Sequence, residues 1–173
     1  MKLKDIAATA ISLFGSAIFT DSLRFKFTDH PKTQVIFGAL NDWAGTLGVS
    51  GLFAHTGLFS QYVIGSAELL ASSFLILGLV PALKRLNALG ALIAAAVMSG
   101  AVSFHLFTPL GIDPNNDGGG LFAAAATLLV ASFVLIAIRL PEIRGLVADL
   151  GRALVPSLGS KSGASAKMMA SPV

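Results

Sequence analysis

The sequence predicts an all-α fold: an integral membrane four-helix bundle with interfacial amphipathic helices. Composition is the first reason, with 54% hydrophobic and 12% charged residues in a chain of 173. A soluble domain carries about 25% charged residues, so lipid is the natural replacement for water around this chain. Four apolar runs are the second reason, at 6–25, 59–80, 86–110 and 121–140, each near the roughly 20 residues that cross the hydrocarbon. The third is the placement of basic residues at the ends of those runs.

The length suits one domain. A net charge of +3 is modest and follows from the positive-inside bias, so no nucleic-acid partner is expected. Cysteine is absent, which excludes disulfide exchange, thiolate nucleophiles, iron–sulfur clusters and attached c-type haem.

The first run follows Lys2 and Lys4 and extends to Phe25. No clean small-x-small site precedes a polar mature start, so a retained helix is expected rather than a cleaved signal peptide. The second run contains one ionisable residue, Glu68, and is closed by Pro81 and the Lys84-Arg85 pair. The third is rich in Ala, Gly and Ser and ends near Pro109. Its Gly90/Ala94 and Ala96/Gly100 pairs are spaced for close backbone approach, read as a packing seam within the chain in preference to a dimer seam. The fourth is capped by Arg139 and Pro141.

Orientation follows from the charges. Lys2/Lys4, Lys84/Arg85 and Arg139/Arg144/Arg152 share one side of a four-span chain, while the connection 111–120 carries Asp113 and Asp117 and no basic residue. Both termini are therefore expected on the cytoplasmic side of a cell membrane. Arg24, Lys26 and Lys32 conflict with this, because they fall in or beside the outer first connection. Within that connection Ile36, Leu40, Trp43 and Leu47 form one helical stripe, with Asp29 and Pro31 placed for a helix start. A surface helix over 33–48 is expected, with Trp43 at headgroup depth. A second interfacial helix is expected over 142–154, where Ile143, Leu146, Val147, Leu150 and Leu154 share a face. The Ser/Gly/Ala/Lys tail, 155–173, is expected to be disordered.

A charge near the centre of a membrane helix costs about 2.5–3.5 kcal/mol on insertion scales, so each one is a site candidate. Helical rise puts Glu68 roughly 13 Å below the outer surface, with Gln61 on the same face near the rim. Asp21, Arg24 and Lys26 come at the outer end of the first span, and His105 lies near the outer end of the third. Convergence of these faces would make an outward-opening polar cluster. The alternative reading has Arg24 and Lys26 snorkelling to headgroups, His105 at the interface and Glu68 protonated within the bundle. No metal site is expected, because His30, His55 and His105 form no helical ligand pair. Asp113, Asn115, Asn116 and Asp117 lack the full spacing of a cation loop and read as a polar turn. Phosphate-loop, dinucleotide and Ser-His-Asp signatures are absent.

Three segments carry a family resemblance: Lys26-Phe27-Thr28 ending the first span, Gly65-Ser66-Ala67-Glu68-Leu69-Leu70 in the second, and Ser103-Phe104-His105-Leu106-Phe107-Thr108-Pro109 ending the third. In these the chain resembles the DoxX-like membrane family, in the branch typified by the YkgB-type proteins, over residues 6–140. The resemblance implies four spans, a bacterial inner membrane and a redox association, since some relatives are subunits of a thiosulfate:quinone oxidoreductase and others belong to redox-stress complexes. The long first connection departs from the common pattern.

Three functions are carried forward. The leading one is a subunit or accessory of a redox- or quinone-linked membrane system, binding a small polar or quinone-like head group with Glu68 and His105 handling protons. The others are a membrane scaffold or assembly partner, through a membrane-protein partner or a homodimer, and a small transporter using Glu68. The residues themselves reveal no cofactor; a quinone is compatible with the first function. The lipid bilayer is the common partner of all three.

Overall fold

A computed structural model describes residues 2–154; the expected tail lies outside them. Six α-helices run α1 (Leu3–Lys26), α2 (Pro31–Thr46), α3 (Gln61–Leu77), α4 (Lys84–Phe107), α5 (Gly120–Ile138) and α6 (Leu140–Leu154), and no strand occurs among the described residues. Three helical segments are long and apolar enough to cross a membrane: Leu3–Lys26, Pro81–Phe107 and Gly120–Ile138. The fourth apolar helix, α3, has 17 residues, or roughly 25 Å at the α-helical rise. It is shorter than the expected 59–80 because Ser60 caps its start and Gly78 ends it.

Local chemistry sets the other boundaries. Pro31 occupies the first turn of α2, where its missing N–H costs nothing. The N-cap is His30 rather than Asp29: its Nδ1 accepts from the Lys32 N–H at 3.2 Å. Asp29 instead takes a left-handed conformation, φ +52, and turns its carboxylate toward α3. At α5, the Asp117 carboxylate accepts from the backbone N–H groups of Gly119, Gly120 and Leu121 at 3.0–3.1 Å. Gly118 and Gly119 supply the positive φ that this turn requires.

The helices α1, α3, α4 and α5 pack in a ring, with α1 and α4 each touching both α3 and α5. The core is rich in alanine, with Ala8, Ala71, Ala91, Ala94 and Ala125 around Phe19, Leu75, Leu128 and Leu135. Small residues let backbones approach, and Gly90 is the limiting case. A Cβ there would lie 2.9 Å from the Leu75 amide nitrogen and 3.1 Å from the Ala71 carbonyl oxygen. That seam is therefore internal, between α3 and α4. Gly100 differs, since the nearest atom to its Cβ position is on Phe104 at 3.9 Å.

The stripe of α2 packs inward. Leu40, Ala44, Phe53 and Leu110 form a second, smaller core, with Ile36 and Trp43 against it. Leu47 lies beyond the helix and is exposed. Thus α2 roofs one end of the helical ring. At the opposite end α6 is held by an Arg85–Asp149 ion pair at 2.8 Å, while Val147, Leu150 and Leu154 stay exposed.

Candidate functional site

Lys26, the last residue of α1, reaches alongside α3 to Glu68. Its Nζ lies 3.0 Å from Glu68 Oε1 and also donates to Ser22 Oγ. Both side chains are largely withdrawn from solvent, at 14% and 4% exposure. Gly65 packs beside this pair, its Cβ position 3.5 Å from Lys26 Cβ. The second carboxylate oxygen, Glu68 Oε2, is buried and has no partner among the described residues. Charge pairing satisfies one lone-pair set and leaves hydrogen-bonding capacity on the other.

This pair lines a cavity of about 740 Å³, within the range typical of small-molecule sites. Asp21, Lys26, Glu68 and His105 all line it. Its walls come from α1, α3, α4 and α5 and its roof from α2 and the following loop. Gly100, Ala96, Ala101, Ala124 and Ala125 leave the space, and Phe19, Val97 and Met98 supply apolar surface at deeper positions. His105 is buried, and its Nδ1 lies 2.6 Å from the Gly111 carbonyl oxygen. A carbonyl only accepts, so this contact assigns the proton to Nδ1 and leaves Nε2 as an acceptor in the neutral ring. The ring stands edge-on to Phe122 at 5.6 Å, which ties α4 to α5 at the end of the ring roofed by α2.

The remaining two candidates lie elsewhere. Arg24 pairs with Asp21 at 2.9 Å on an exposed face, its guanidinium 4.5 Å from the Phe25 ring centroid. Gln61 is buried in a polar clasp: its Nε2 donates to the Lys26 carbonyl at 2.8 Å and to Asp29. Its Oε1 accepts from Gln34 at 2.8 Å, and the Tyr62 hydroxyl donates to Asp29 at 2.9 Å. This clasp fastens the roof to α1 and α3. Gln61 lines a second, smaller cavity of about 170 Å³ with Gln34, Asn41 and His55. Phe37 and Phe53 face both cavities and form the partition between them.

Asp117 stands at the rim of the larger cavity. Desolvation is the largest single influence and pushes its carboxyl up, but the backbone N–H groups of Leu121, Gly119 and Gly120 that donate to it, together with its contact with Asp113, outweigh this. They hold it below the ordinary 3.8.

A second polar centre, at the opposite end of the ring, is invisible to sequence reasoning. Asn87 is fully buried. Its Nδ2 donates to Ser12 Oγ at 2.8 Å and to the Leu75 carbonyl at 3.0 Å. Its Oδ1 accepts from Arg139 Nε at 2.8 Å. Arg139 is buried rather than a headgroup charge, with Glu142 3.8 Å away. The available signal was weak: Asn87 follows Lys84 and Arg85 and reads like part of a wet helix end. Among the described residues no group of three metal-ligating side chains occurs.

No protein-family model, curated protein or solved structure matches this chain. Geometry and chemistry carry its interpretation.

Proposed function

We propose that this chain is a DoxX-like, four-span membrane protein that binds the polar head of a small amphiphile, quinone-like in shape, in the cavity lined by Glu68 and His105. It serves there as a subunit or accessory of a redox- or quinone-linked membrane system. The observation that carries the reading is the half-satisfied Lys26–Glu68 pair on the wall of a large, mostly apolar cavity. An ion pair there is costly to bury, and a ligand hydrogen bond to the free oxygen would offset part of that cost. His105 Nε2 adds a second acceptor for a ligand hydroxyl.

Counting α3 as a span rests on its outer surface. Val63, Leu69, Leu70, Ile76 and Leu77 are exposed on it, continuous in kind with Leu13 and Phe14 on α1 and Val130 and Phe133 on α5. An apolar belt on neighbouring helices is what a bilayer covers. With Leu58, Phe59 and Leu79-Val80 flanking it, the segment reaches the lower limit for a span. The positive-inside bias then places both termini in the cytoplasm of a bacterial inner membrane and the cavity in the outer half.

The test is direct binding of decylubiquinone and decylubiquinol to the purified, membrane-reconstituted protein, in wild type, Glu68→Gln and His105→Gln. The reading expects saturable binding of the quinol, whose hydroxyls donate to Glu68 Oε2 and His105 Nε2, and weaker binding in both variants. Binding equal in all three, or absent from all three, overturns it. The Gly90 seam is occupied by α3, so the scaffold alternative would dock its partner on an amphipathic helix, such as the exposed Val147, Leu150 and Leu154 of α6.

A further inference from the structure

The four seams of the helical ring are unequal. At its outer end α1 is tied to α3 by the Lys26–Glu68 pair and the Gln61–Lys26 hydrogen bond. The outer ends of α4 and α5 are joined by the His105–Phe122 ring contact. Gly90 closes α4 onto α3. Between α1 and α5 the tight point is at mid-helix, where the Gly15 Cβ position is 3.1 Å from Leu128 Cδ1. Outward of it the two helices face each other across the cavity, with Ser22 and Phe25 on α1 and Leu121 and Ala124 on α5. Among the described residues no hydrogen bond or ion pair joins them there.

The cavity also has a polarity gradient. Its rim carries Asp21, Lys32, Asn115 and Asp117, and Lys26, Glu68 and His105 sit just inside. Deeper positions are Phe19, Val97, Met98 and Ala125. An amphiphile in the outer leaflet has the same order, head outward and hydrocarbon toward the bilayer centre.

We infer that the ligand enters sideways from the outer leaflet, through the slot between α1 and α5 outward of Gly15 and Leu128, and is therefore a membrane-dissolved amphiphile carrying a small hydroxyl-bearing head. This rests on the binding reading above and adds the route and the ligand's phase. Small side chains at Ser22 and Ala124 leave the slot open between the two helices. The polar head stops at Glu68 and His105, and the tail remains in or beside the slot. A prenyl-type quinol and a glycerolipid share this chemistry.

The chain has no cysteine, so Ala124→Cys carries a single nitroxide spin label in the full-length protein in nanodiscs. Leu121→Cys serves as the second position if Ala124→Cys fails to fold, and Val130→Cys as the outward-facing reference. Collision with dissolved oxygen is expected to match Val130, while collision with a water-soluble nickel chelate stays low. Decylubiquinol or dioctanoylglycerol is then added. At least one should produce a loss of label mobility and of oxygen collision at Ala124 but not at Val130, and the loss should disappear in Glu68→Gln. A label open to the nickel chelate, or one unmoved while Glu68-dependent binding persists, overturns the lateral route and leaves the binding reading standing. A response to dioctanoylglycerol alone supports the route and removes the quinol. Absence of any Glu68-dependent binding removes both.

Discussion

Lys26 Nζ and Glu68 Oε1 are 3.0 Å apart, linking the last residue of α1 to the middle of α3. One residue at a helix end and one deep in an apolar helix thereby become a single buried unit. The consequences differ according to which half is removed. Lys26→Met leaves a buried carboxylate without its partner and is expected to destabilise the protein by about 3–5 kcal/mol. Lys26→Met combined with Glu68→Leu should recover most of that loss. Reversible unfolding of single and double variants in mixed micelles measures the difference.

Glycines 90 and 100 should behave oppositely. Gly90→Ala drives a methyl against the backbone of α3 and is expected to cost about 1–3 kcal/mol, the usual range for overpacking. Gly100→Ala meets only ordinary contact with Phe104, so stability should be unchanged while the cavity shrinks. Thermal midpoints of the two variants, set beside their ligand binding, distinguish a seam glycine from a cavity glycine.

Removal of Asn87 disconnects the inner polar centre. Asn87→Leu withdraws the acceptor from the Arg139 guanidinium and leaves Ser12 without its donor. Hydrogen bonds to charged groups are worth about 1.5–3 kcal/mol, and a loss of that size is expected. It should be read from unfolding and from increased amide exchange at the α5–α6 junction, with no change in ligand affinity at the far end.

The Asp117 cap makes the start of α5 sensitive to acid. Its folded carboxyl lies below the ordinary 3.8, so its stabilisation is complete above the unfolded value and is lost as pH falls through the folded one. Amide protection at Gly120 and Leu121 should fall with acidification across that window. In Asp117→Asn the same amides should be less protected at neutral pH and show no such transition.

The proposal that α3 is a fourth span makes a topological prediction. Ser50→Cys, in the connection before α3, and Ala82→Cys, in the turn between α3 and α4, are both exposed. An impermeant maleimide should reach them from opposite sides of intact cells or oriented vesicles, Ala82 from the cytoplasmic side. Labelling of both from one side would contradict a membrane-crossing α3.

Much of this architecture was legible from periodicity and charge. The apolar runs sit on four helices, and Glu68 is conspicuous because ionisable groups in such runs are costly. Its partner was among several cations at one helix end, and only the packing of α1 on α3, with Gly65 beside Lys26, selects that one. Arg24, two residues earlier, turns to Asp21 instead, since a helix places it about 200° away from Lys26. Asp29 looked like a cap and became a clasp, because His30 competes for the same N–H groups. Asn87 and Arg139 were hidden for a different reason. Both lie next to basic helix ends, where a buried pair and a snorkelling pair have the same sequence signature.

The most direct measurement uses Trp43, the only tryptophan, which packs beside the core that roofs the cavity. Decylubiquinol, whose hydroxyls can donate to Glu68 Oε2, titrated into the nanodisc-embedded protein should change its fluorescence along a saturable curve. Glu68→Gln should shift that curve at least about tenfold to higher ligand, the equivalent of roughly 1.4 kcal/mol. Superimposable curves for the two proteins would contradict a ligand held at the Lys26–Glu68 pair.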